Sequence, residues 1–254
     1  MIDTADSMCV DEIRSSANFG PRRPGVRPEI LLLHYTGMKS AARAIDWLCR
    51  PESRVSSHYV IDEHGRVTQL VAEVERAWHA GVAIWHGETD INSLSIGIEI
   101  HNPGHDDGYP DFPDAQMGRL EALCRDIVQR WQIAPERVLA HSDVAPRRKI
   151  DPGEKFDWAR LHAAGVGHWI DPAPLDCRDE GFQPGAAAQE VIEAQQQLAR
   201  FGYGVPLTGV LDEETVIVLT AFQRHFRPAR CDGRLDRSTL DTLQRLTKSL
   251  QPAV

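Results

Sequence analysis

The sequence predicts an α/β fold, a mixed central sheet with flanking helices, followed by a small C-terminal three-helix module. Three observations lead there. Short apolar or alternating stretches interleave with helical periodicity up to about residue 170. A tract rich in Pro, Gly and Asp, IDPAPLDCRDEGFQPGAAA, follows it. Three helical patterns joined by short loops occupy the rest. The expected division is a first domain over 1–170 with an N-terminal lead-in, a linker over 171–185 and a helical module over 186–254.

Each element has its own signal. Residues 1–28 are polar and rich in Arg and Pro, which suits a lead-in. ILLLH (30–34) is a short apolar run of the kind that forms a buried strand. SAARAIDWLC (40–49) places Ala41, Ala44, Ile45 and Leu48 at helical spacing. SSHYVIDEHGRVTQLV reads as two strands joined at His64-Gly65. LSIGIEIH (94–101) alternates, with Leu94, Ile96, Ile98 and Ile100 on one face and Ser95, Gly97, Glu99 and His101 on the other. Residues 115–132 carry a helical stripe through Met117, Leu120, Cys124, Ile127, Val128 and Trp131, with Asp114 as the expected cap. RVLAH (137–141) is a further strand, and FDWARLHAAG a short helix that stops at glycine. In the module, GVLDEET and GRLDRST resemble each other: a Gly turn precedes an Asp that caps the next helix.

Bulk properties exclude some roles. A formal net charge of -9 argues against nucleic acid as the main partner. No apolar run approaches the roughly 20 residues of a membrane span. The acidic, polar start, MIDTADSMCVDEIRSS, has no basic segment followed by an apolar one, so a cytoplasmic location is expected. The five cysteines are scattered with no CxxC pair, which suits free thiols in a reducing compartment.

Two of the eleven histidines, His34 and His141, end apolar strands, where a rigid scaffold meets a cleft. Asp151 follows His141 by ten residues in one loop. Two imidazoles and a carboxylate would leave a tetrahedral zinc one open position, the ligand count of a hydrolytic site. Each residue also has an ordinary reading: a hydrogen-bonded histidine, or an Asp that begins a turn before Pro-Gly. Glu99 is mid-strand, opposite four aliphatic residues. It is either part of a solvated sheet face or a general base beside a metal site. Lys149 is either one of three bases on a surface loop or a cation for a developing oxyanion. Trp78 and His79, in AWHAG, either line a substrate cleft or pack structurally. For His58 a core or supporting role is favoured, and His101, His105, His162, His168 and His225 offer no pattern.

Five segments in order, HYTG, SSHYVID, AWHAG, SIGIEI and AHSDVAPRRKIDPG, resemble the zinc-dependent N-acetylmuramoyl-L-alanine amidases of the AmpD/AmiD type, the amidase-2 family. The resemblance spans roughly 28–170. It implies zinc ligands at His34, His141 and Asp151, a catalytic glutamate at Glu99, a catalytic lysine at Lys149 and a substrate contact at Arg148. The FGY, DEETVIVLTAFQ and DGRLDRSTLDTL segments resemble a peptidoglycan-binding three-helix module. Together they imply hydrolysis of the amide between N-acetylmuramic acid and L-alanine, in peptidoglycan or anhydro-muropeptides, for wall turnover or recycling. Members with this module often carry an export or lipid-anchor signal, which leaves periplasm or cell envelope as the alternative location. The competing functions are a non-catalytic peptidoglycan-binding protein and a zinc peptidase that cuts elsewhere in the stem peptide.

Overall fold

The computed structural model describes residues 2–250. Its strands are β1 (Glu12–Ile13), β2 (Phe19–Pro21), β3 (Ile30–Tyr35), β4 (Tyr59–Ile61), β5 (Val67–Gln69), β6 (Glu75–Ala77), β7 (Ser95–Ile100) and β8 (Val138–Ala140). Its α-helices are α1 (Ala41–Cys49), α2 (Ile91–Leu94), α3 (Asp114–Trp131), α4 (His141–Val144), α5 (Trp158–Ala163), α6 (Gln189–Phe201), α7 (Glu213–Phe226) and α8 (Arg237–Ser249).

Six strands form one mixed sheet in the order β1-β5-β4-β7-β3-β8. Only the β4–β5 hairpin is antiparallel; the other neighbours are parallel. Central β3 reads ILLL because it is covered on both faces, the usual condition of a parallel strand. Successive side chains alternate faces. Leu31 and Leu33, with Ile96, Ile98 and Ile100 of β7, meet Met117, Leu120, Cys124 and Ile127 of α3 and Leu161 of α5. Ile30 and Leu32 point to the opposite face, and so, by the same alternation, does His34. The alternation in SIGIEI therefore separates an aliphatic face under α3 from a polar face bearing Ser95, Gly97 and Glu99.

Three features depart from the sequence expectations. The lead-in is bound to the domain: β1 pairs with β5 and β2 with β6, while the Arg22 guanidinium donates to the carbonyls of Glu73, Asn92 and Ser93. Pro113, not Asp114, occupies the position before α3, and no side chain caps that end. His141 lies just past β8 and opens the short helix α4, so the turn, not the strand, carries it.

The C-terminal helices begin as their loops suggest. Asp212 accepts from Thr215 N–H and Asp236 from Thr239 N–H, capping α7 and α8. The stretch over 171–185 lies along α8: Ala173 N–H donates to Thr242 Oγ1 at 2.9 Å and Ser238 Oγ donates to Ala173 O at 2.7 Å. One apolar cluster runs from Ile30, Leu32, Trp85 and Leu139 into Val191, Leu198, Phe201, Phe222 and Phe226. The helical module thus covers part of the sheet face opposite α3.

Candidate active site

The polar face of the sheet opens into a cleft of about 360 Å³ at the C-terminal ends of β3 and β7. Ligand sites in open α/β sheets favour this end. His34, His79, Glu99, His141, Lys149 and Asp151 line its polar side. Met38, Trp47, Val55 and Trp78 line an apolar side.

Three buried groups converge at the base. His34 Nδ1 lies 2.8 Å from His141 Nδ1 and 3.3 Å from Asp151 Oδ2, and His141 Nδ1 lies 3.0 Å from the same oxygen. The surrounding hydrogen bonds set the tautomers. His141 Nε2 faces the Ala80 carbonyl at 3.1 Å; a carbonyl only accepts, so Nε2 carries the proton and Nδ1 a lone pair. Ser95 Oγ donates to Ile91 O, which leaves it to accept from His79 Nε2 at 3.3 Å. His79 Nδ1 then accepts from His34 Nε2 at 2.9 Å, and His34 Nδ1 also presents a lone pair. Two lone pairs and a carboxylate oxygen facing one another have no proton to share. A cation satisfies all three.

The donor set fits a divalent metal ion, zinc among them. Two imidazole nitrogens and a carboxylate form a three-ligand set that leaves one position open. Ligands at ~2.0–2.1 Å from a tetrahedral ion lie about 3.3–3.4 Å apart, and the observed edges of 2.8–3.3 Å are slightly tighter. His34, His141 and Asp151 are together a group able to hold a metal ion.

For His34 and His79 the electrostatics agree with the tautomers. Burial, then the neighbouring His141, lowers the His34 pKa to about 4, so its ring is neutral near pH 7. Burial also pushes His79 well below the ordinary histidine value. Glu99 moves the other way: burial, then the Asp151 charge, raises its pKa well above the ordinary value, with Lys149 opposing. Its Oε2 is enclosed and has no hydrogen-bond partner among the described residues, although the residue as a whole is only half-buried.

Residues 24–154 match the family described as N-acetylmuramoyl-L-alanine amidase, and that match covers half of the chain. The chain belongs to the N-acetylmuramoyl-L-alanine amidase family. Residues 187–243 match a second family, described as a peptidoglycan binding domain. The amidase AmiD of Escherichia coli K12 is 37% identical over 84% of this chain and 80% of its own length. A structure of E. coli AmiD in complex with the substrate anhydro-N-acetylmuramic acid-L-Ala-D-gamma-Glu-L-Lys aligns with TM-score 0.73 at 34% identity, covering 89% of this chain and 92% of that one. A structure of AMPDH3 from Pseudomonas aeruginosa with anhydromuramic pentapeptide aligns with TM-score 0.74 at 34% identity, covering 97% and 98%.

Within this amidase fold the remaining sequence candidates divide by position. Lys149 and Trp78 line the cleft. His79 touches the cleft but lies mostly beneath His34, and Gly97 makes room for it: a Cβ there would fall 2.6 Å from the His79 ring. Arg148 is turned away from the cleft, with its guanidinium donating to the carbonyls of Ala80 and Val82. His58 is fully buried; its Nδ1 accepts from Gly97 N–H at 2.9 Å, which ties β4 to β7 below the site. Gly153, at φ +85°, permits the close pass of the Asp151 loop under Tyr109, whose hydroxyl a Cβ would strike. Sequence reasoning did not find the supporting role of Ser95 or of the Ala80 carbonyl. A backbone carbonyl leaves no signature in residue identity. No helix among the described residues is long and apolar enough to cross a membrane.

Proposed function

We propose that the chain hydrolyses the amide between N-acetylmuramic acid and the first L-alanine of the stem peptide, with zinc held by His34, His141 and Asp151. The observation that carries the metal reading is the triangle of three unprotonated acceptors on this amidase scaffold. When bound, zinc acts as a Lewis acid on the substrate carbonyl and makes water a better nucleophile.

The chain's own residues supply the rest. Glu99 is the general base: it takes the proton of the attacking water and passes it to the leaving amine of L-alanine. Its raised pKa makes it a stronger acceptor than an ordinary carboxylate and a competent proton carrier to the amine. Lys149 brings an ammonium to the same cleft, where it offsets negative charge developing on the carbonyl oxygen. His79 and Ala80 O hold the two imidazoles in the tautomers that leave Nδ1 free. Trp78, with Trp47 and Met38, offers an apolar wall for the sugar and lactyl part of the substrate. Arg148 supports the loop that carries Ala80 O.

The two aligned complexes are of AmiD with anhydro-N-acetylmuramic acid-L-Ala-D-gamma-Glu-L-Lys and of AMPDH3 with anhydromuramic pentapeptide, which supports soluble anhydro-muropeptide as one substrate. The module matched to peptidoglycan binding supports intact wall as another. The deciding experiment incubates zinc-loaded full-length protein with a soluble anhydro-muropeptide and, separately, with insoluble peptidoglycan, and reads the products by mass. Release of a stem peptide beginning at L-alanine is expected. Cleavage elsewhere in the stem, or none by a chain carrying one zinc, overturns the reading. A His34→Ala, His141→Ala double variant that still holds a full equivalent of zinc rejects the ligand set.

A further inference from the structure

Asp143 lies two residues beyond His141 and is fully buried. Three donors meet its side chain. Ala140 N–H reaches Oδ2 at 2.8 Å from the end of β8. Tyr203 Oη–H reaches Oδ1 at 2.6 Å, and His225 Nδ1 reaches Oδ2 at 2.7 Å. The last two come from the helical module: Tyr203 follows α6, and His225 lies near the end of α7. The His225 ring is held between Trp158 and Phe226, with centroids 3.7 and 3.9 Å away. A buried carboxylate stays where its donors are, because leaving them unpaired is costly.

From Asp143 the connection to the base of the cleft is short. Its bond to Ala140 N–H closes the turn on which His141 stands. The next residue back, Ser142, donates its N–H to Asp151 O at 3.0 Å, which ties the Asp151 backbone to the same turn. The module also grips the segment on the other side of His141. Trp85 pairs with Tyr203 in an isolated bridge, and His86 N–H donates to Gly202 O at 2.8 Å; within the first domain, Ile84 N–H donates to Val144 O at 2.8 Å and so joins this segment to α4. That segment begins at Ala80, whose carbonyl faces His141 Nε2. Arg147 forms ion pairs with Glu213 and Glu214 at the start of α7, but these side chains are exposed and contribute little.

We propose that the C-terminal module is a positioning element of the active site: Tyr203 and His225 clamp Asp143, and through it hold His141 and Asp151 in register with His34. The proposal rests on the zinc reading of that cluster for its functional consequence. Tyr203, His225 and Asp143 are positioning residues; none of them is among the residues that line the cleft. A ligand set must be held within about 0.5 Å of its working geometry, and loss of a group that orients ligands typically costs about 10- to 100-fold in metal affinity. The module would then do more than bring the enzyme to its substrate.

The test uses the full-length protein with Tyr203→Phe, which keeps the ring and removes one donor, and His225→Leu, which removes the other. His225→Asn retains a donor near the Nδ1 position and serves as the conservative rescue. Ser238→Ala is the control, since it breaks the module's bond to Ala173 O without touching Asp143. Amide exchange over 140–151 in the metal-free protein, zinc Kd by chelator competition, and kcat and KM are measured. We expect Tyr203→Phe and His225→Leu to speed exchange over 140–151, to weaken zinc binding about 10-fold or more, and to lower kcat more than KM changes. His225→Asn should recover part of each. Ser238→Ala should lower Tm with none of these effects. Wild-type exchange and zinc Kd in both donor variants, alongside a Tm loss like that of Ser238→Ala, overturn the proposal. Should Tyr203→Phe not fold, the His225 pair decides by the same readouts. A wild-type chain that holds no zinc refutes the metal reading, and loop exchange in the variants still decides whether the clamp exists.

Discussion

Glu99 and His34 are register partners on the adjacent parallel strands β7 and β3. Paired residues on neighbouring strands project to the same face with backbones about 4.8 Å apart. The position of Glu99 beside the His34, His141 and Asp151 cluster is therefore a property of the sheet, locked by Ile98 and Ile100 on the opposite face. Glu99→Gln keeps the shape and removes the proton acceptor. Turnover should fall by about 10²–10⁴ with zinc content unchanged. Glu99→Asp should retain only part of the wild-type rate, because the carboxylate is withdrawn by one methylene. Steady-state kinetics with metal analysis on the same samples checks both; near-wild-type turnover in the Gln variant would mean that the base is another group.

Lys149→Ala should lower kcat by about 10²–10³, the usual effect of losing one electrostatic partner of an oxyanion. Zinc occupancy should stay at one per chain. Lys149→Arg should restore some of the loss, since the charge returns on a longer, planar group. If kcat is unaltered and only KM rises, Lys149 acts in substrate binding and not on the transition state.

Gly97→Ala tests the support beneath His34. The added Cβ would lie 2.6 Å from the His79 ring, so the ring must move and its bond to His34 Nε2 must lengthen. Overpacking of this kind costs about 1–3 kcal/mol. We expect a lower Tm and zinc affinity weakened by about 10-fold. Unchanged affinity with a lowered Tm would separate His79 from the metal site.

Acid should destabilise the metal-free protein. Burial lowers the His34 pKa to about 4 and the His58 pKa to about 3, and His79 shifts the same way. In the unfolded chain each takes a proton near pH 6.5. Between those values the unfolded state binds more protons, so stability rises with pH there and is lost as pH falls from about 6.5 towards 3. Glu99 opposes this: its pKa is raised, so the folded form binds the extra proton above the ordinary glutamate value. Three imidazoles against one carboxylate leave the net slope set by the histidines. Urea midpoints between pH 7.5 and 4 should fall steadily, and by less in His58→Asn. A flat profile would mean that these rings are charged in the fold.

The placement of much of the candidate site is legible in the sequence, for reasons that can be named. His34 follows four aliphatic residues, and Glu99 interrupts the polar side of a clean alternation; both patterns are local, and strand geometry is local. Asp212 and Asp236 were legible as caps because a cap acts on the three residues after it. What escaped was long-range. β1 and β2 have two and three residues, too few for a period to show. Between the two readings of His79, cleft lining and structural packing, nothing in AWHAG decides, and the ring both lines the cleft and lies under His34. His225 offered no pattern, since its partner Asp143 is 82 residues away. The resemblance implies a substrate contact at Arg148, and the long-range bonds from its guanidinium to the Ala80 and Val82 carbonyls leave no local signature.

The apolar cluster that passes from β3 into α6 and α7 has a consequence for how the chain comes apart. Two globules on a free tether would melt separately, and a protease nick between them would release two intact pieces. Here neither half owns the whole of its interior. Heat or denaturant should meet one cooperative unit, and a cut within 171–185 should leave the fragments associated. A module graft from another amidase would inherit a mismatched interior unless the Trp85, Phe201 and Phe226 surfaces travelled with it. The two family matches along this chain thus share one apolar interior.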